Sequence, residues 1–231
     1  MTVPTLRSQD CVHILDLGDT ENRFTPDWLK SVHTQLDSIT GATALVTTAT
    51  GKFFSNGLDL EWLTTHSDQA QGYVADVQDL LARILAFPVP SVAAVNGHAF
   101  GAGAMLAMAH DFRVMRSDRG YFCFPEAEIN IPFTPGMAAL IQSKLTPSAA
   151  IASMTTGRRF GGPSARDLGL VDDIASESEL VTVACGLVSP LAGKDPGTLG
   201  AIKSTMFAGA LAALRPTAEP STATPKADDS R

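Results

Sequence analysis

The stretch Pro90-Ser-Val-Ala-Ala-Val-Asn-Gly-His-Ala-Phe-Gly-Ala-Gly103, continued by Ala104-Met-Leu-Ala-Met-Ala109, decides how the chain folds. Residues 91–95 predict a short strand, which Asn96-Gly97 ends, and residues 101–109 predict a helix whose small side chains allow close packing on its neighbours. A strand that runs through a glycine-rich turn into a helix leaves backbone N–H groups unpaired, so that they can point at a ligand oxygen. A second turn of this kind, Phe54-Ser-Asn-Gly-Leu-Asp59, follows the run Ala44-Leu-Val-Thr-Thr48, which predicts a strand buried on both faces. Neither turn is a dinucleotide fingerprint: residues 97–103 lack the G-x-G-x-x-G order, and no G-x-x-x-x-G-K-[ST] occurs.

Outward from this centre, strands alternate with amphipathic runs. Residues 12–17 alternate as a half-buried strand does. Thr25 and Pro26 then open a helix, with Thr as N-cap and Pro at the first helical position, followed by Trp28, Leu29, Val32, Leu36 and Ile39 at helical spacing. It stops near Gly41. A second helix over residues 71–87 puts Val74, Val77, Leu80, Leu81, Ile84 and Leu85 on one face, and Pro88 and Pro90 end it. Right-handed crossovers make these strands parallel, so the expected fold class is α/β. Downstream, residues 111–115 and 121–124 predict strands and most of the remainder predicts helix.

An Ala-rich helix over residues 201–214 carries Ile202, Met206, Phe207, Leu211 and Leu214, a stripe for either internal packing or a subunit contact. It follows a core of residues 1–200. Residues 215–231, rich in Pro, Ser and Thr, predict a disordered tail.

Composition bounds the function. The 231 residues are 45% apolar and carry 17 basic against 24 acidic side chains, a formal charge of −7. One sizeable core is expected, and the balance disfavours nucleic acid and anionic membranes as partners. Three scattered cysteines, Cys11, Cys123 and Cys185, offer neither a disulfide framework nor a metal set, and no signal-peptide or membrane-spanning stretch is seen. A cytoplasmic location is the expectation.

Gly51-Lys-Phe-Phe-Ser-Asn-Gly-Leu-Asp-Leu60, Pro90 to Gly103, His110-Asp-Phe-Arg-Val, Thr156-Gly-Arg-Arg159 and Ala165-Arg-Asp-Leu-Gly-Leu-Val-Asp172 together resemble the crotonase (enoyl-CoA hydratase/isomerase) superfamily, in its order and spacing over residues 8–200. The resemblance implies a spiral of ββα units with a helical C-terminal region, assembled as trimers or pairs of trimers. It also implies an acyl-CoA thioester substrate whose carbonyl oxygen lies between the N–H groups of Leu58 and Ala102. Gly57, Gly101 and Gly103 would then matter because a Cβ there could block a close approach. Ser55, Asn56, Asp59 and Leu60 would border the coenzyme A portion, with Asp59 more suited to capping its loop than to chemistry. Coenzyme A belongs to the substrate, and no separate cofactor or metal is expected.

Family hydratases use two glutamates. The position of the first is here Met105, which cannot move a proton, so hydration is disfavoured. The second carboxylate survives as Glu126 or Glu128. Glu126 follows Pro125 and is preferred, with Asn130 four residues on, where the family commonly has Gly. With Glu128 as base, Pro132 would take that place instead. Tyr121, Phe122, Phe124, Ile129, Ile131 and Phe133 offer an apolar surround that would raise a buried carboxyl pKa.

A single carboxylate beside an oxyanion hole suits a 1,3-proton shift, the reaction of Δ3,Δ2-enoyl-CoA isomerases, and residues 51–62 and 124–150 are most similar to the plant-type isomerase branch. Hydrolysis, decarboxylation or hydration of a CoA thioester, or non-catalytic acyl-CoA binding, remain alternatives. His98 and Cys123 are read as packing residues, while His66 and Asp68 fit either the rim of the acyl or CoA entrance or an exposed helix start.

Overall fold

Short runs of β-branched and small apolar residues build two sheets, and the computed structural model describes them over residues 3–41 and 43–216. In chain order the elements are β1 (Thr5–Gln9), β2 (Val12–Asp16), α1 (Pro26–Asp37), β3 (Ala44–Thr48), β4 (Phe53–Ser55), α2 (Leu60–Thr65), α3 (Ala70–Leu85), β5 (Ser91–Val95), β6 (His98–Phe100), α4 (Ala102–Ala109) and β7 (Phe112–Arg116). Then follow β8 (Phe122–Cys123), α5 (Glu126–Ile129), α6 (Pro135–Lys144), α7 (Pro147–Met154), α8 (Gly162–Asp167), β9 (Asp173–Ala175), α9 (Leu180–Val188), α10 (Pro196–Met206) and α11 (Ala208–Leu214).

The large sheet runs β1-β2-β3-β5-β7-β9 and is parallel apart from the β1–β2 hairpin. The small sheet, β4-β6-β8, is parallel throughout. The three central turns of the chain, β3-β4, β5-β6 and β7-β8, each add one strand to each sheet before a helix, which is the ββα spiral expected.

Strand β3 is buried at every position. Its Leu45 belongs to the main core with α1, α3 and α4, while Ala44 and Val46 pack on the opposite face with Leu180, Ala184 and Val188 of α9. A continuous apolar run is what a parallel strand covered on both faces requires. Thr25 accepts the Trp28 N–H at 3.2 Å as N-cap of α1, ahead of Pro26, as the sequence predicts.

Not legible in the sequence were the outer strand β1, whose exposed polar residues carry no apolar signal, strand β9, which falls in a stretch read as mostly helical, and the three-residue strands β4 and β6. Both short strands lie inside segments read as glycine-rich turns. The C-terminal helix also differs from expectation. It is two helices, α10 starting at Pro196 and α11, with an 81° bend between them, so a boundary at residue 200 falls inside α10. Phe207, Ala210 and Leu214 are buried, and α11 packs on α6 and α3, whereas Ile202 and Met206 are exposed. Of the segment 215–231, only Arg215 and Pro216 lie among the described residues; Arg215 is the C-cap of α11 and pairs with Asp79 at 2.6 Å.

Candidate active site

The C-terminal ends of β4, β6 and β8 open on a cleft of about 230 Å³, lined by Arg23, Asn56, Leu58, Leu60, Phe100, Gly101, Ala102, Cys123, Pro125, Glu126, Ile129, Ile131 and Arg159. Both glycine-rich turns contribute to it.

The loop after β4 is held amide by amide. Asn56 N–H donates to Glu21 O at 2.8 Å, Gly57 N–H to Ser55 Oγ at 3.1 Å, and Asp59 N–H to the buried Tyr73 hydroxyl at 2.9 Å. Between them the Leu58 N–H has no hydrogen-bond partner among the described residues. Its peptide plane is fixed from the other edge, because the Gly57 carbonyl accepts the Phe24 N–H at 2.9 Å. The second turn repeats the design. Gly101 N–H donates to Cys123 O at 3.0 Å, Ala102 N–H, at the first position of α4, has no partner among the described residues, and the Gly101 carbonyl accepts the Met105 N–H at 3.0 Å. An amide whose carbonyl is already hydrogen-bonded is both oriented and polarised as a donor.

Glycines bring the two turns together. A methyl group on Gly57, at φ +74°, would lie 2.8 Å from the Ala102 nitrogen and 2.8 Å from Phe100 O. One on Gly103 would lie 2.3 Å from Ser55 O. Gly57 and Gly103 therefore serve the close approach of the two turns, backbone on backbone. Gly101, at φ +51°, does face the cleft, where a Cβ would meet Glu126 Oε1 at 3.4 Å.

Glu126 begins the short helix α5, a single helical turn that closes on Asn130. Asn130 takes a left-handed backbone, φ 57°, a conformation Asn tolerates better than most residues with a Cβ. That geometry agrees with the register in which residue 130, four after Glu126, holds the place of a glycine. The Glu126 side chain is buried, and its Oε2 has no hydrogen-bond partner among the described residues. Burial raises its pKa to about 7, with only a backbone hydrogen bond opposing. A carboxyl at that value can accept and return a proton near neutrality. Glu128 is exposed and lies against Gly157, away from the cleft wall.

Other predicted site residues sort as follows. Asn56, Leu58, Leu60, Gly101 and Ala102 line the cleft. Ser55 is fully buried behind it, donating to Asn22 O at 2.7 Å. Asp59 caps α2 through the Trp62 N–H at 3.1 Å, the role anticipated for it. Met105 is buried in the core. His98 lies at the start of β6, the end remote from Gly101, among Phe53, Phe100 and Tyr121. Cys123 lines the cleft, yet its thiol donates to Gly157 O and burial pushes its pKa up to about 11. Arg23, Phe100 and Arg159 also line the cleft without having been assigned a place there, although Phe100 and Arg159 fall within the motifs that carry the family resemblance. Among the described residues no group of His, Cys, Asp or Glu is placed to hold a metal ion.

With this geometry in hand, comparison with known proteins is decisive about kinship. The enoyl-CoA hydratase/isomerase family matches residues 17–220. The chain belongs to this crotonase family. Over 204 residues it is 36% identical to enoyl-CoA delta isomerase 2, peroxisomal, of Arabidopsis thaliana, covering 82% of this chain and 85% of that one. Over 166 residues it is 37% identical to the carnitinyl-CoA dehydratase of Escherichia coli K12, covering 69% and 61% respectively. Among solved structures, a probable enoyl-CoA hydratase from Mycobacterium tuberculosis H37Rv superposes with a TM-score of 0.85 at 27% identity, over 93% of this chain and 92% of that one. The chain is a crotonase-family acyl-CoA enzyme with the α/β spiral of that family, and its relatives include isomerases, a dehydratase and a hydratase.

Proposed function

We propose that this crotonase moves the double bond of a 3-enoyl-CoA to the 2-position, with Glu126 as the single acid–base group and the N–H groups of Leu58 and Ala102 as the oxyanion hole. The observation that carries the reading is the lone buried carboxyl of Glu126, with one oxygen unpartnered and its pKa near 7, on a cleft wall shared with two unpartnered amides. Met105, where family hydratases have a second glutamate, supports it, as do the Arabidopsis relatives named as delta isomerases.

In the proposed cycle the thioester carbonyl oxygen accepts both amides, which stabilise the negative charge that develops on it; each such donor contributes roughly 3 kcal/mol to the transition state. Glu126 takes a proton from C2, the electron pair delocalises to a dienolate, and the same carboxyl returns the proton to C4. The 2-enoyl product is conjugated with the thioester. Atoms and charge balance without a further cofactor. Exposed apolar side chains at the cleft, Leu60, Ile129 and Ile131, suit the acyl portion. The exposed Ile202 and Met206 on α10 suit a contact between copies, and a homotrimer or dimer of trimers is proposed on that basis and on the habit of the family.

The test is a substrate panel followed by absorbance of the conjugated thioester. A 3-enoyl-CoA is converted to its 2-enoyl isomer by the wild type and not by Glu126→Gln, which still binds acyl-CoA, while Glu128→Gln retains activity. Loss of activity in Glu128→Gln alone would reassign the base. Turnover of a 3-hydroxyacyl-CoA in preference to the 3-enoyl-CoA would move the enzyme to the dehydratase side of its relatives.

A further inference from the structure

The Leu58 amide is aimed by a residue that touches neither cleft nor substrate. Asn22 is 2% exposed, and its backbone is left-handed, φ 49°. Its side-chain Nδ2 donates towards three carbonyls: Gly18 at 3.3 Å, Phe53 at 3.2 Å and Phe54 at 3.1 Å. Its Oδ1 accepts the Thr20 hydroxyl at 3.4 Å, and its own carbonyl accepts Ser55 Oγ at 2.7 Å. Ser55 Oγ in turn accepts Gly57 N–H, while Phe24 N–H, two residues after Asn22, holds Gly57 O. Residue 57 is therefore gripped at both its N–H and its C=O by the segment Asn22 to Phe24, and Asn22 is what fastens that segment to β4. The peptide between Gly57 and Leu58 is held through its carbonyl by Phe24 and through the preceding amide by Ser55.

We propose that Asn22 is a positioning residue for the oxyanion hole, acting through Ser55 and Phe24 to hold the Leu58 N–H towards the reacting carbonyl. The inference rests on the reading of the cleft as a thioester site. Its energetic basis is geometric: a donor displaced by about 1 Å from its productive position can cost on the order of 10²-fold in rate. That loss belongs to the transition state, where the oxygen is most negative, and not to ground-state binding.

The experiment compares wild type, Asn22→Asp, Asn22→Gly and Ser55→Ala as intact chains whose thermal unfolding confirms a folded state at the assay temperature. Asn22→Asp keeps the shape and removes the Nδ2 donors. Asn22→Gly keeps access to the left-handed backbone and removes the side chain. Ser55→Ala cuts the link to Gly57 while leaving Asn22 in place, so the inference stays testable if neither Asn22 variant folds.

Two readouts are used: steady-state isomerisation of a 3-enoyl-CoA, and the carbonyl ¹³C shift of a bound saturated acyl-CoA labelled at C1, which reports polarisation of the thioester without turnover. The expected result is a fall in kcat of about 10- to 100-fold, with KM and acyl-CoA affinity little changed. The ¹³C shift on binding should be reduced in each folded variant. Unchanged kcat and an unchanged shift overturn the inference, as does a loss confined to KM. A wild type that polarises the carbonyl but leaves the 3-enoyl-CoA untouched defeats the isomerase reading alone, and the ¹³C comparison still decides the role of Asn22.

Discussion

Glu126 is the residue on which activity and stability pull apart. Its carboxyl holds a proton more tightly in the folded chain than in the unfolded one, because burial penalises the anion and raises the pKa from 4.5 to about 7. As a general base it must be ionised, so kcat/KM should rise with pH through about 7 and level off above it. The stability consequence has the opposite sense: between about 4.5 and about 7 the folded state binds the proton that the unfolded state has lost, so stability falls as pH rises. At pH 8 the cost is about 3 kcal/mol. Glu126→Gln should therefore be inactive and yet more resistant to urea at pH 8 by roughly that amount, with little difference at pH 4. Equal urea midpoints at pH 8 would show that the carboxyl is better solvated than its burial implies.

Glycines make the second prediction at this scale. Gly103→Ala places a methyl group 2.3 Å from Ser55 O, backbone that cannot swing away. Overpacking of this kind costs about 1–3 kcal/mol or more, and α4 must shift from β4, separating the two amide donors. Activity should be lost even where the variant remains folded, as read by circular dichroism beside the isomerase assay.

Helix α10 is fastened to the sheet by one buried cation. Lys203 Nζ donates to Phe87 O and Val89 O, both at 2.9 Å, and to Asp111 Oδ2 at 2.6 Å, while Asp111 also accepts Ser91 N–H at 2.8 Å. Lys203 is 5% exposed, so replacing it by Met leaves two carbonyls and a carboxylate short of a partner. Removing one member of a buried pair costs about 3–5 kcal/mol, and Lys203→Met should lower the urea midpoint accordingly while leaving kcat intact. The amphipathic helices α1 and α3 were legible because their apolar residues recur at helical spacing, with Pro26 and the Pro88-Val-Pro90 stretch punctuating them. The bend between α10 and α11 was not: no proline marks it, Gly209 just beyond it sits in an otherwise Ala-rich run, and Phe207, buried at the bend, reads in sequence as one more member of a continuous stripe.

Across the whole molecule, two buried groups pull the pH dependence of stability in opposite directions on the acid side of neutrality. His110 is fully buried, with Nδ1 2.8 Å from Leu106 O and Nε2 2.8 Å from Thr47 Oγ1, and burial lowers its pKa to about 4. The folded chain then refuses a proton that the unfolded chain accepts, so this contribution falls as pH drops from 6.5 towards 4. Glu126 loses stability in the other direction over an overlapping range. Their contributions offset each other between about 4.5 and 6.5 in the wild type, and Glu126→Gln removes one of them. Urea titrations across that range should show a steeper gain of stability with rising pH in Glu126→Gln than in the wild type. Parallel curves would mean that Glu126 titrates at an ordinary value in the folded protein.

What the chain alone determined was local. The strands β2, β3, β5 and β7, the helices α1, α3 and α4 and the two turns were readable, because apolar period, capping residues and glycine spacing act within a dozen residues; the preference for Glu126 over Glu128 came from the family resemblance instead, and it is the fold that buries Glu126 and leaves Glu128 exposed. The convergence of the turns was decided by tertiary structure, since the contact of Gly57 with Ala102 joins residues 45 apart in sequence. So was the removal of Ser55 and Gly103 from the cleft wall to positions behind it. Asn22 carried no signal at all: a single polar residue in a loop becomes the fastening of β4 only when Gly18, Phe53 and Phe54 are brought round it. A buried amide acquires its meaning from the carbonyls that the fold delivers to it.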